Sequence, residues 1–200
     1  MKLNESFYKS SNVLNVSQAL LGKLLYSYID GQVTAGIIVE TEAYSWQNDR
    51  ACHAYKCRRT KRNETMFASG GVAYVYLCYG LHYMLNIVTN YIGKAYAVLI
   101  RALEPKIGLN TIKNRRRLEC LDFKSTSGPG KLCQALGITL NHNGESLLED
   151  KLWLENTELA VPKSKIRATK RIGIDFAGPD ADKKWRFFIK DNPYVSHRLR

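Results

Sequence analysis

The dipeptide Asp30-Gly31 stands between two runs of β-forming residues, Leu24 to Ile29 and Gln32 to Thr41. Asp-Gly tolerates the positive φ angles of a tight two-residue turn, so the segment reads as a β-hairpin. A second hairpin follows: Gly71 to Tyr79 is β-rich, Gly80-Leu81 is the expected turn, and His82 to Val88 returns. Ala95 to Leu103 forms a third β-rich run, which Pro105 is expected to end. Helical signals are scattered among these runs. They are Ser17 to Leu21 between the capping residue Asn15 and Gly22, Lys106 to Glu119, and Lys131 to Leu136 behind the break Ser127-Gly128-Pro129-Gly130. Trp185 to Lys190 is again strand-like. Strands and helices without regular alternation imply an α+β fold. The expectation is a single compact domain over residues 1–200, with a mixed, mostly antiparallel sheet, surrounding helices and a protruding β-hairpin. At 200 residues and 45% apolar, the chain is long enough for one core.

The charge balance narrows the partner. Lys and Arg number 30 against 18 Asp and Glu, a net +12. Such an excess on one small domain favours a polyanion, though charge alone does not separate DNA from RNA or an anionic membrane. No apolar stretch is long enough to span a bilayer, Lys23 interrupts the one near the N-terminus, and Met1 to Glu5 lacks a signal-peptide core. The expected location is therefore cytoplasmic. Five cysteines without a framework point to reduced thiols. Cys52-His53 with Cys57 invites a zinc reading, but no second Cys/His pair has matching spacing, and no metal is expected.

Three segments carry chemistry. Val39-Glu40-Thr41-Glu42-Ala43-Tyr44 ends an apolar strand, and on a regular strand Glu40, Glu42 and Tyr44 share one face. A carboxylate there is a candidate general base; the alternative is a pair of solvated acids on an edge strand. In the second hairpin Tyr74 and Tyr76 share a face and Tyr79 lies at the tip. An aromatic core is one reading. A wedge that enters a base stack, with stacking surfaces behind it, is the other. Between them lie Lys56, Arg58, Arg59, Lys61 and Arg62, either a solvated loop or a set of phosphate contacts. Ser127-Gly128-Pro129-Gly130-Lys131 departs from the nucleotide-binding loop pattern at Ser125 and Leu132, and reads instead as a loop feeding a helix near a DNA phosphate.

Taken in order, these segments resemble the mammalian-type alkyladenine (3-methyladenine) DNA glycosylase family. The resemblance is carried by Ala19-Leu20-Leu21-Gly22, Val39 to Tyr44, His53, Thr60 with Arg62-Asn63 and Met66-Phe67, Tyr74-Val75-Tyr76 with Tyr79-Gly80, and Asn86. It continues through Leu99 to Pro105, Ser127-Gly128-Pro129, Lys131 to Leu136, Arg171 to Ile174, Trp185-Arg186-Phe187 and Pro193 to Ser196. The family implies Glu42 as the base that activates water. Arg101 and the Ile172 carbonyl would hold that water. Tyr44, His53 and Tyr76 would surround a flipped base, Asn86 and Leu99 would line the pocket, and Tyr79 would fill the gap in the duplex. Arg58, Arg59, Arg62 and Lys131 are the expected phosphate contacts. The implied partner is double-stranded DNA containing damaged purines, the implied acting form is a monomer, and no cofactor is implied. Lys61 in place of a common proline, Leu81-His82 at the tip, and a longer stretch from Asn86 to Arg101 depart from the family pattern. Two rival readings remain: a non-catalytic nucleic-acid-binding module, and a metal-dependent nuclease using Glu40 and Glu42.

Overall fold

The computed structural model describes residues 1–157 and 160–196. Its spine is one long strand. The chain enters through α1 (Glu5–Tyr8) and α2 (Val13–Ala19), then forms the hairpin of β1 (Leu24–Ile29) and β2 (Gln32–Ser45). Ile29 pairs with Gln32 across Asp30 and Gly31, whose φ angles are 55° and 70°, so the Asp-Gly turn forms as its chemistry dictates. The cap of α2 is Asn12 rather than Asn15: its side chain accepts from the Leu14 and Asn15 N–H groups and starts the helix about one turn earlier than Ser17 suggests.

The second hairpin comprises β3 (Ala73–Cys78) and β4 (His82–Thr89), and β5 (Tyr96–Ile107) follows. The central residues of the tip are Tyr79 and Gly80, with φ of 51° and 70°, while Leu81 N–H closes the turn on the Cys78 carbonyl at 3.0 Å. The turn thus lies one residue earlier than Gly80-Leu81. Pro105 does not end β5; it pairs with Gly36 at a register shift, where the missing ladder donor is tolerated. The strand therefore runs to Ile107, and α3 (Leu109–Arg115) is shorter than the helix expected over Lys106 to Glu119, because Gly108 and Arg117 at φ 71° and 53° bound it. The arginines there are internal staples: Arg115 donates to the Ile29 carbonyl and Arg116 to the Ser125 carbonyl, each at 2.8 Å.

After α4 (Pro129–Leu136) come β6 (Leu152–Glu155), β7 (Ile166–Thr169) and β8 (Arg186–Ile189). The strands join in one sheet, β3-β4-β5-β2-β1-β6, with β8 joined to both β2 and β7. Every pairing among the described strands is antiparallel, so the sheet is purely antiparallel where the sequence allowed a mixed one. β2 meets β5 along nearly its whole length; on its other edge it pairs first with β1, then with β8 at Glu40 to Glu42. Covered on both sides, it carries a continuous apolar run rather than a two-residue alternation. Helices α2 and α4 pack on the sheet and bury Val16, Leu132, Cys133 and Leu136 with Leu20, Ile38, Leu85 and Ile100. Each fully buried Leu or Ile contributes about 1.5–3 kcal/mol. A second cluster of Cys52, Met66, Phe67, Tyr74, Val88 and Ala97 forms the bed beneath a cleft.

Candidate active site

β2 passes from the core to the cleft at Glu40, where its register against β5 shifts on both sides. A bulge of this kind re-aims side chains. Glu42 and Tyr44 line the cleft, whereas Glu40 lies behind it. The three do not share a working face as a regular strand would require.

The cleft has a volume of about 440 Å³ and brings together Glu42, Tyr44, His53, Tyr76, Asn86, Leu99 and Arg101. Tyr79 and Arg62 lie at its rim, and Tyr74, Met84, Pro129, Ile172 and Phe176 complete much of the wall. Tyr79 is 89% exposed and Leu81 76%, so the hairpin tip projects from the molecule. Lys131 and Arg59 lie outside the cleft. Arg59 bonds Glu64 through Nε at 2.8 Å and covers the Phe67 ring, so its charge is already matched. Arg58 instead faces an adjoining hollow with Arg50, Thr60 and Arg62.

Glu42 is fully buried. Its Oε1 accepts the Ile172 N–H at 2.8 Å, and its Oε2 accepts the Tyr44 hydroxyl at 2.8 Å and stands 3.3 Å from Arg101 Nη1. Ile172 thus meets Glu42 through its N–H. Glu40 Oε1 accepts Arg101 Nε at 2.9 Å, Arg186 Nε at 2.7 Å and the Ser196 hydroxyl at 2.9 Å, while Oε2 accepts the Ser196 N–H at 2.6 Å. Burial alone would raise the Glu40 pKa, but Arg101, Arg186 and the Ser196 N–H outweigh it and hold the carboxyl below its ordinary value. Burial opposes the charge of Arg101 as well, and Glu42 and Glu40 more than restore it. Burial, then Glu42, push the Tyr44 phenol well above its usual range, so it stays a hydrogen-bond donor.

His53 faces the open cleft and shares a 2.9 Å hydrogen bond between Nδ1 and the Tyr74 hydroxyl. Protein crowded round the ring, and Arg62 nearby, hold its pKa down to about 4, leaving a neutral imidazole at pH 7. Its ring meets Tyr76 edge-on at 4.7 Å, and Tyr76 leans on Tyr74 at 5.4 Å. The tyrosines behind the tip are therefore cleft wall rather than core alone. Among the described residues, no three His, Cys, Asp or Glu side chains converge as a metal site.

Residues missed by the sequence reading brace this wall. Asp49 and Arg171 form a fully buried, two-pronged ion pair at 2.6 Å, and the Arg171 guanidinium lies 4.7 Å from the Tyr44 ring centre. Arg186, Ser196 and Arg171 fall within segments that matched the family, but nothing local in the sequence pairs residues 122 positions apart. Phe176, 76% exposed at the cleft edge, gave no sequence signal.

An arginine-braced carboxylate in an aromatic slot beside a projecting aromatic tip, on a chain of net charge +12, fits a DNA glycosylase, a hydrolase that works on bases. The chain belongs to the methylpurine-DNA glycosylase family, whose sequence profile matches residues 6–193. It is 43% identical over 188 residues to a protein of Chlamydia felis, spanning 94% of this chain and 95% of that one. It is 44% identical over 205 residues to a protein of Alkaliphilus oremlandii, spanning 99% of this chain and all of the other (100%). A Bacillus cereus protein is 44% identical over 210 residues, again spanning 99% and 100%. Each of the three bears the provisional name 3-methyladenine DNA glycosylase. No helix among the described residues is long and apolar enough to cross a membrane.

Proposed function

We propose that this protein removes alkylated or deaminated purines from duplex DNA, among them 3-methyladenine, 7-methylguanine, hypoxanthine and ethenoadenine, by hydrolysing the N-glycosidic bond as the opening step of base-excision repair. The observation that carries this reading is Glu42: fully buried, fixed by two hydrogen-bond donors and an ion pair with Arg101, and set in the wall of an aromatic cleft. In the proposed reaction a water held by Glu42 and Arg101 attacks C1′ and gives its proton to Glu42. The C1′–N9 bond breaks, and its electron pair leaves on the purine. The carboxylate also stabilises the positive charge that develops on the sugar. The Ile172 carbonyl is a further proposed ligand of the water.

Tyr44, His53 and Tyr76 enclose the flipped base, with Asn86 and Leu99 restricting which purines enter. Electron-rich ring faces favour a purine made cationic by alkylation. Flipping costs a few kcal/mol, least at a damaged pair, so damage contributes to selection. Tyr79 fills the vacated space in the duplex. Arg58, Arg62 and Lys131 hold phosphates; Arg59 does so only by leaving Glu64. Among the described residues no lysine lines the cleft, which supports a reaction without an imine and without strand cleavage. The proposed acting form is a monomer.

The test is Glu42→Gln, assayed with EDTA present. Lesion-duplex affinity should stay within a few-fold of wild type while base release falls by about 10³ or more. Undiminished turnover rejects the assignment. Absence of base release from the wild-type protein leaves the binding-module reading, and metal-dependent cutting of undamaged strands leaves the nuclease.

A further inference from the structure

Behind the cleft wall the buried charges form a matched set. Among the described residues, the buried carboxylate and guanidinium side chains are Glu40, Glu42 and Asp49 against Arg101, Arg171 and Arg186. Glu40 and Glu42 belong to the arginine network already described. Asp49 and Arg171 stand apart, on the far side of Tyr44. Tyr44 lines the cleft and Arg171 does not, so Arg171 covers the ring face turned away from it. The guanidinium is sandwiched there, 4.7 Å from the Tyr44 ring centre and 5.2 Å from that of Trp185. Its Nη1 and Nη2 each donate to an Asp49 oxygen at 2.6 Å, and Nη1 also donates to the Ala43 carbonyl at 2.8 Å. Asp49 is itself anchored by the N–H groups of Ser45 at 3.3 Å and Ala51 at 3.2 Å.

A bare cation in that place would work against the slot. Its field would pass through the Tyr44 ring and oppose any positive charge stacked on the other face, while leaving a neutral base nearly untouched. Asp49 cancels that field and keeps the packing that Arg171 supplies. Of the other cations lining the cleft, Arg101 is matched by Glu40 and Glu42, and Arg62 lies 5.3 Å from the Tyr76 ring on the exposed rim, where solvent screens it. His53 is neutral at pH 7.

We infer that the buried Asp49–Arg171 pair is a selectivity element: it lets Tyr44 accept cationic, alkylated purines as readily as neutral, deaminated ones. This rests on the reading of the cleft as a purine slot. Asp49 and Arg171 are positioning residues, since neither reaches the reacting atoms.

The experiment compares single-turnover release of 7-methylguanine, a cation in DNA, with release of hypoxanthine, a neutral base, after subtraction of spontaneous depurination. Asp49→Asn leaves the arginine uncompensated and should lower the 7-methylguanine-to-hypoxanthine rate ratio by roughly tenfold, the size expected for an added charge about 8 Å away in partly buried surroundings. Arg171→Gln leaves the anion and should raise the ratio. The neutral double variant should return it to within about twofold of wild type. A structural role alone slows both substrates together and cannot move the ratio in opposite directions. Thermal melting identifies which variants fold, and an unchanged ratio in a folded single variant overturns the inference. If wild-type protein releases neither base, the slot reading itself fails, which is a separate result.

Discussion

Arg101 Nε donates to Glu40 Oε1 at 2.9 Å, and that bond decides where the rest of the guanidinium points. Nη1 is left 3.3 Å from Glu42 Oε2. One planar cation thus spans a carboxylate behind the wall and a carboxylate in it. Lysine, a point charge, cannot span both. Arg101→Lys should reduce single-turnover base release by about 10² with lesion affinity changed only a few-fold, a loss confined to the developing transition-state charge. Glu40→Gln removes the counter-charge of two buried arginines and should cost about 3 kcal/mol in urea unfolding.

Tyr79 combines 89% exposure with a φ of 51°, a backbone region that side chains other than glycine rarely adopt. An exposed ring of this kind adds nothing to the core; its proposed role is to engage DNA. Tyr79→Gly should leave stability unchanged or raise it by up to about 1 kcal/mol. Affinity for a lesion duplex should nonetheless fall by about tenfold, the loss expected when a stacking contact is removed. Equal affinities for variant and wild type would exclude the wedge.

His53 should titrate at about 4, measured by NMR of its ring carbons, because crowding of the ring and Arg62 disfavour the imidazolium. The unfolded chain binds this proton near pH 6.5, above the folded value. Stability from His53 is therefore complete above about pH 6.5 and is lost as pH falls toward 4. A measured value near 6.5 would show an open, solvated ring.

The basic segment should divide by partner. Arg58→Ala and Arg62→Ala should each weaken binding of any duplex and reduce the slope of log affinity against log salt by about one. Arg59→Ala should change it little, since Glu64 already matches that charge. Equal effects at all three positions would contradict this division.

Local chemistry made much of the molecule legible. The Asp30-Gly31 turn, the projecting Tyr79 tip and the run from Val39 to Tyr44 are written in turn propensity and β-forming residues, which act over a few positions. Element ends were less legible. Asn12 rather than Asn15 caps α2, and β5 runs through Pro105, because the deciding partners are side-chain oxygens and neighbouring strands rather than the residue itself. The ordered family motifs brought Glu42, Arg101, Tyr44, His53 and Tyr76 together as a group, and the structure brings them to one cleft.

Only tertiary structure separated Glu40 from Glu42, and paired Asp49 with Arg171. Two like acids on one strand look equivalent in sequence. A bulge against β5, with Arg186 and Ser196 arriving from the far end of the chain, turns one inward and leaves the other facing the slot. Sequence fixes which charges a chain owns; which charges cancel depends on distances that folding alone creates.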